Sequence, residues 1–155
     1  ANEKMREPGY QDIQNEDIPE IQPSANVTAR VIAGNSHGVS AVIQHPITQP
    51  LYLDIHFSGP GTFRQSLKPT NNAFFYVYRG NVVVNGKNVP VKNMAILENN
   101  PQSDGVIIET EAAAKLILIA GQPLNEPIAQ YGPFVMNTQQ EIIQAVTDFQ
   151  EGRLS

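Results

Sequence analysis

Apolar and polar side chains alternate along much of this chain. The clearest case is residues 51–57, where Leu51, Leu53, Ile55 and Phe57 are apolar and the intervening positions are polar or amphipathic. A period of two predicts a half-buried β-strand. The other candidate strands are short runs bounded by turn residues, at 27–33, 39–43, 62–67, 73–78, 82–84, 87–91, 94–97, 106–109 and 115–120. Short strands at this spacing, without strand–helix–strand alternation, predict an all-β fold of antiparallel sheets, either a sandwich or a barrel.

The strongest local patterns predict a hairpin and a single helix. Asn85-Gly86 lies between two apolar runs and is typical of a type I′ hairpin turn. A helix is predicted over 138–151, because Thr138 and Glu141 have the spacing of a capping box. Gly152 is placed to end it. The apolar stripe of this helix consists of Ile142, Ala145, Val146 and Phe149.

Two segments do not follow these patterns. Residues 1–26 are acidic, contain three prolines and show no apolar period, so we expect an extended arm before a domain over 27–155. Residues 121–137 form an unusually long and apolar connection between the last strand and the helix. Such a loop must bury part of itself against its own domain or a partner. The candidate interface residues are Leu124, Ile128, Tyr131, Phe134 and Met136.

Composition narrows the function classes. A length of 155 residues fits one domain with a substantial core. The chain has no cysteine, which excludes disulfides, thiolate metal sites and cysteine nucleophiles. Its net charge is −5 and it has no basic cluster, so direct binding of nucleic acid is not expected. No apolar run approaches the length of a membrane span, and we expect a cytoplasmic protein.

The candidate chemistry is sparse. All three histidines lie between residues 37 and 56, and His56 shares a strand face with Tyr52 and Asp54. The i, i+2 spacing of Asp54 and His56 places a carboxylate beside an imidazole. One interpretation is a ligand pocket at a barrel mouth formed by these three residues with Arg64 and Tyr76; the other is an ordinary exposed strand surface. We expect no metal site, since no three potential ligands have the spacing of a metal motif. We expect no catalytic residue, since no nucleophile motif is present.

Several motifs resemble the pirin family. Residues 3–5, 7–8 and 10–11 resemble the segment that joins the two halves of pirins, and residues 30–34 and 50–54 resemble their C-terminal half. The most specific stretches are Ile119-Ala120-Gly121-Gln122-Pro123-Leu124-Asn125-Glu126-Pro127 and Tyr131-Gly132-Pro133-Phe134-Val135-Met136-Asn137-Thr138. The resemblance covers about residues 3–153. It implies a cupin domain, a jelly-roll barrel of two antiparallel sheets followed by one helix, and it makes residues 1–26 the interdomain linker.

The family resemblance also implies an iron site, but this chain lacks the residues for one. Pirins are bicupins whose N-terminal cupin binds iron through three histidines and a glutamate. They resemble quercetin 2,3-dioxygenases, and eukaryotic members are nuclear co-regulators of transcription. Aligning the strand-ending glycine of the metal motif with Gly80 places Ser66, Lys68 and Asn72 at the ligand positions. These residues cannot form an iron site, so no cofactor is expected in this chain.

The resemblance therefore implies a C-terminal, non-metal cupin with a structural or interaction role. Its expected partner is an N-terminal pirin cupin or a second copy of the chain, and if the source is a eukaryote the nucleus is an additional expected location. The alternative is a stand-alone cupin that binds a small aromatic or flavonoid-like ligand in its barrel.

Overall fold

The computed structural model describes residues 9–153, so the predicted linker motifs at 3–5 and 7–8 lie outside the described residues. The chain divides into two compact units. One contains residues 13–123, and the other contains, among the described residues, 9–12 and 124–153. No helix of the described residues is long and apolar enough to cross a membrane.

The described residues form short strands, a 3-10 helix at Asn15–Asp17 and the α-helix α1 at Gln139–Gln150. The strands are β1 (Glu20–Ser24), β2 (Val27–Ala33), β3 (Asn35–Ser36), β4 (Val39–Ser40), β5 (Leu51–Phe57), β6 (Gly61–Ser66), β7 (Asn72–Arg79), β8 (Val82–Val84), β9 (Lys87–Val89), β10 (Met94–Ile96), β11 (Gly105–Thr110), β12 (Ala114–Gly121), β13 (Ala129–Tyr131) and β14 (Phe134–Met136).

Two large antiparallel sheets and the small β3–β4 hairpin lie in the unit of residues 13–123. The larger has the strand order β1-β2-β5-β12-β7-β10, and the smaller has the order β6-β11-β8-β9. The inner faces of both sheets contribute to one hydrophobic core, with Leu53, Phe75 and Leu118 from the larger sheet and Phe63 and Ile108 from the smaller. These side chains are fully buried, and each such burial contributes about 1.5–3 kcal/mol. The predicted all-β, two-sheet barrel with one C-terminal helix is confirmed.

The alternation of apolar residues determines which side of each strand is buried. In β2, β5 and β12 every second residue is buried and the residues between are half-buried. The predicted turn at Asn85-Gly86 is confirmed, since φ is 48° and 71° at these two residues, as a type I′ turn requires.

Two strand predictions differ from the structure. The predicted strand 39–43 is limited to β4, because the chain then folds back onto Gly34, which accepts from the Ala41 N–H at 2.9 Å and donates to the Ile43 carbonyl at 3.0 Å. In the segment predicted as an arm, residues 20–24 form β1 and pair with β2. Ile21 of this strand is buried in the core, which explains why a polar segment joins the sheet.

The second unit consists of a small hairpin, β13–β14, and α1. The predicted cap is confirmed: Thr138 Oγ1 accepts from the Glu141 N–H at 3.2 Å, and Glu141 Oε2 accepts from the Thr138 N–H at 2.8 Å. Gly152 follows the helix with φ of 70°. The predicted apolar stripe is correct for Ile142 and Ala145, which are buried, and wrong for Phe149, which is 62% exposed. Phe149 lies at the end of the helix, where its ring contacts Phe134 of the hairpin edge to face.

Candidate functional site

A polar cluster lies on the outer face of the larger sheet. Asp54 and His56 of β5 lie side by side, as their spacing predicts, with Asp54 Oδ2 and His56 Nε2 3.0 Å apart. The Tyr78 hydroxyl, from β7, lies 2.6 Å from Asp54 Oδ1 and 2.9 Å from His56 Nε2. The three contacts are mutually consistent when the Tyr78 hydroxyl donates to Asp54 Oδ1. The His56 Nε2–H then donates to Asp54 Oδ2 and to the Tyr78 hydroxyl oxygen. The cluster is a closed set of hydrogen bonds on a half-exposed surface.

This environment changes the acidity of Tyr78. Partial burial, followed by the hydrogen bond to the Asp54 carboxylate and its negative charge, raises the pKa of Tyr78 far above its usual value. The tyrosine therefore stays protonated and remains a hydrogen-bond donor at physiological pH.

The structure separates the predicted ligand-pocket residues. Tyr52, Asp54 and His56 alternate with the buried residues of β5, and so they lie on the face opposite the core. Tyr76 is on the same outer face, because β12 pairs Ile117 with both Asp54 and Tyr76. Arg64 is exposed on β6 of the smaller sheet. The pocket prediction thus joins side chains from two different sheets, and four of them face away from the barrel interior.

Sequence reasoning missed Tyr78, although a pattern was available. Tyr76 and Tyr78 are two residues apart on one strand, so alternation places both on one face. What the sequence could not provide was the strand order, in which β12 alone separates β7 from β5.

The residues at the metal-motif positions do not fit iron. Ser66 is exposed on β6, and the core-facing residues of that strand are Phe63 and Gln65. Lys68 Nζ donates to Gln49 Oε1 at 2.7 Å, and Asn72 Oδ1 accepts from Asn99 at 3.2 Å. Across residues 9–153, no group of three or more histidine, aspartate or glutamate residues could hold a metal ion. The donor set of a cupin iron site is therefore not assembled in the described part of the chain.

A cleft lined by both polar and apolar residues lies at the rim of the barrel, beside this motif. Its volume is about 420 Å³. Buried Gln65 is part of its wall, and Gln65 Oε1 accepts from the buried Ser36 hydroxyl at 2.7 Å. Ser36 Oγ also lies 2.8 Å from His37 Nδ1. Alternation along β6 could have identified Gln65 as a polar residue at a core-facing position, but the cleft depends on loops that the pattern does not place.

The predicted interface residues differ in exposure. Leu124, Ile128 and Tyr131 are exposed, and Ile128 is the most exposed at 80%. Phe134 and Met136 are half-buried in β14. The unit that contains them thus presents large apolar side chains at its surface, together with Ile143 and Phe149 of α1.

Comparison with known proteins gives a consistent result. The profile of the pirin C-terminal cupin domain matches residues 52–155. Human Pirin is 35% identical over 160 residues, which cover 99% of this chain and 53% of the human protein. Pirin-like protein 2 of Arabidopsis thaliana is 34% identical over 160 residues, covering 99% of this chain and 49% of that protein.

A solved structure supports the same relationship. The crystal structure of quercetin 2,3-dioxygenase from Acinetobacter baumannii superposes with a TM-score of 0.83 at 32% identity. The match covers 99% of this chain and 53% of that chain. The chain spans about half the length of the curated relatives it matches.

Proposed function

Because the chain belongs to the pirin family, and matches its C-terminal cupin domain, we propose that it acts as a non-metal cupin with a structural and interaction role. The observation that carries the proposal is the type of residue in β6 and in the turn after it. The positions aligned with the cupin metal ligands hold Ser66, Lys68 and Asn72, and the core-facing residues of β6 are Phe63 and Gln65. None of these side chains belongs to a suitable iron ligand set.

The parent protein, in this proposal, is an iron-dependent quercetin 2,3-dioxygenase-like protein or a transcriptional co-regulator. Its metal and its chemistry belong to an amino-terminal cupin. The similarity to about half of the Acinetobacter baumannii quercetin 2,3-dioxygenase supports this arrangement. A cytoplasmic location, with the nucleus in addition for a eukaryote, rests on the family resemblance and is part of the same proposal.

The interaction role is supported by the large apolar side chains that the second unit exposes, which are Leu124, Ile128, Tyr131, Ile143 and Phe149. Scattered apolar residues are normal on protein surfaces, but a group of large side chains in one small unit is typical of an interface. We assign this surface to the amino-terminal cupin of a longer pirin polypeptide, since the matched relatives are about twice as long as this chain.

Metal analysis tests the non-metal assignment. The purified chain is incubated with excess Fe²⁺ without oxygen, desalted and analysed by mass spectrometry of the metal. We expect far less than one iron per chain, because among the described residues no group of three or more histidine, aspartate or glutamate side chains could hold a metal ion.

The matched control is His56→Ala, which removes the surface imidazole beside Asp54. Any trace iron that disappears in this variant is bound at the surface cluster, and the assignment stands. One tightly bound iron or zinc per chain in both proteins would overturn it.

A further inference from the structure

We propose that the cleft at the rim of the barrel binds a small organic anion that carries hydroxyl groups, such as a sugar acid. The proposal goes beyond the structural role above and does not depend on it, because it concerns only residues of the 13–123 unit. The residues that line the cleft include Gln49, Leu51, Gln65, Leu67, Lys68 and Asn71.

The charge of the lining favours an anion. Lys68 provides an ammonium group, and none of the lining residues is an aspartate or a glutamate. This contrasts with the whole chain, whose net charge is −5. A carboxylate entering the cleft would thus meet a cation without an acidic side chain in the lining.

The lining also has unused hydrogen-bonding capacity. Lys68 Nζ donates to Gln49 Oε1 at 2.7 Å, which leaves two of its three N–H donors for a ligand. His45 Nδ1 lies 3.4 Å from the Thr48 backbone N–H, and the second ring nitrogen, Nε2, is left for a ligand. Asn71 Oδ1 is buried and accepts no hydrogen bond from any described residue.

The free acceptor on Asn71 distinguishes the ligand from a simple anion. Asn71 Oδ1 has no donor among the described residues, and turning the Asn71 amide into the cleft would offer this oxygen to a ligand that brings an O–H. A carboxylate to accept from Lys68 and a hydroxyl to donate to Asn71 are both present in a hydroxylated acid. The apolar side chains of Leu51 and Leu67 complete the lining and can contact its carbon skeleton.

Two residues with left-handed backbone, Gly34 and Gln49, shape the rim of the cleft. Gly34 has φ of 77°, and a Cβ at this position would lie 2.2 Å from the Pro50 carbonyl oxygen, so only glycine allows the two segments to approach. Gln49 has φ of 43°, in the left-handed region that is unfavourable for a non-glycine residue. Its N–H donates to the His45 carbonyl at 2.9 Å, which closes the turn that holds Gln49 against Lys68.

Gluconate and glucose, as matched probes, test the proposal by two-dimensional NMR titration of the ¹⁵N-labelled chain. They share their hydroxyl groups and differ in the carboxylate. We expect gluconate to shift the amide signals of Gly34, Gln65 and Asn71 in a saturable manner, and glucose at equal concentration to leave them unchanged. Binding should weaken with added salt, because the ammonium group is exposed.

Variants then identify the groups involved. Lys68→Met should weaken gluconate binding about fivefold, the range of one exposed charge pair. Lys87→Met changes an exposed lysine outside the cleft and should bind like the wild type. Asn71→Ala retains the backbone bond from residue 71 to the Lys68 carbonyl and should also weaken binding. Spectra of each variant without ligand verify its fold.

Three results would overturn the proposal. One is the absence of saturable shifts at the cleft with gluconate. Another is an equal response to glucose, which would remove the anion from the ligand class. The third is equal weakening by Lys68→Met and Lys87→Met, which would show a general charge effect rather than a site.

Discussion

Tyr78 shows how a single residue can acquire an unusual property on an ordinary sheet surface. It is 39% exposed, yet its hydroxyl contacts both Asp54 and His56. Ionising it would place a phenolate 2.6 Å from a carboxylate oxygen. The folded protein therefore favours the protonated tyrosine, and the unfolded chain has no such preference.

This difference predicts a pH dependence of stability. The pKa of Tyr78 is raised in the folded state, so the stabilisation is complete below the unfolded pKa of about 10 and is lost as pH rises above it. We expect the free energy of unfolding, measured with urea, to fall with pH above about 10. The slope should be below about 1.4 kcal/mol per pH unit, the limit for one proton, because the side chain is partly exposed.

Tyr78→Phe should flatten the pH dependence of the free energy of unfolding above about pH 10. In an absorbance titration of the tyrosines, the step at the highest pH should then be absent. Tyr10→Phe is the matched control, since this side chain is 91% exposed and should leave the late step in place. An unchanged slope in Tyr78→Phe would show that the cluster does not control the titration.

At the scale of elements, α1 is the best specified part of the second unit. Thr138 and Glu141 satisfy one another's backbone donors, and Glu141 also accepts from the Asn137 N–H at 3.1 Å. The hydrogen bonds from Thr138 lower the pKa of the Glu141 carboxyl. Because the folded pKa is lowered, this stabilisation is present above the unfolded pKa and is lost as pH falls through the folded value.

Thr138→Ala should destabilise the helix by about 1 kcal/mol, since it leaves the Glu141 N–H without its acceptor. Hydrogen exchange of the α1 amides measures the effect directly. The same substitution at Thr147, whose hydroxyl bonds the Ile143 carbonyl within the helix, should be neutral or slightly stabilising. Equal exchange rates in the two variants would contradict the role of the cap.

At the scale of the whole molecule, the exposed apolar surface decides how the chain behaves when isolated. We expect reversible self-association at high concentration. A second copy of the chain would bury Leu124, Ile128 and Tyr131 in place of the proposed partner, the amino-terminal cupin. Ile128→Ser should weaken it about tenfold, as expected for an anchor residue of an interface. Sedimentation velocity over a concentration series measures both.

Ile47→Ser is the matched control, since Ile47 is also exposed but lies in the other unit. It should leave self-association unchanged. A strictly monomeric wild type at high concentration would count against the apolar surface as an interface.

The sequence predicted the local features well because they depend on local physics. The alternation of β5 placed Asp54 beside His56, and Thr138 with Glu141 gave the start of the helix. It did not predict β1, where one buried residue, Ile21, compensates for a polar segment. The cleft was also missed, because Lys68 and Gln49 meet only after distant segments fold together. Tyr78 required the strand order, which no local pattern contains.

The position of β12 in the larger sheet has a consequence for synthesis of the chain. β12 lies between β5 and β7 and is the last strand of that sheet to be made. Until residue 121 leaves the ribosome, β1-β2-β5 and β7-β10 are separate pieces, each with an unpaired edge next to fully buried residues such as Leu53 and Phe75. Open edges of this kind invite pairing with other chains. Nascent chains stalled before β12 should thus depend on chaperones, and release from that dependence should coincide with the emergence of Leu118.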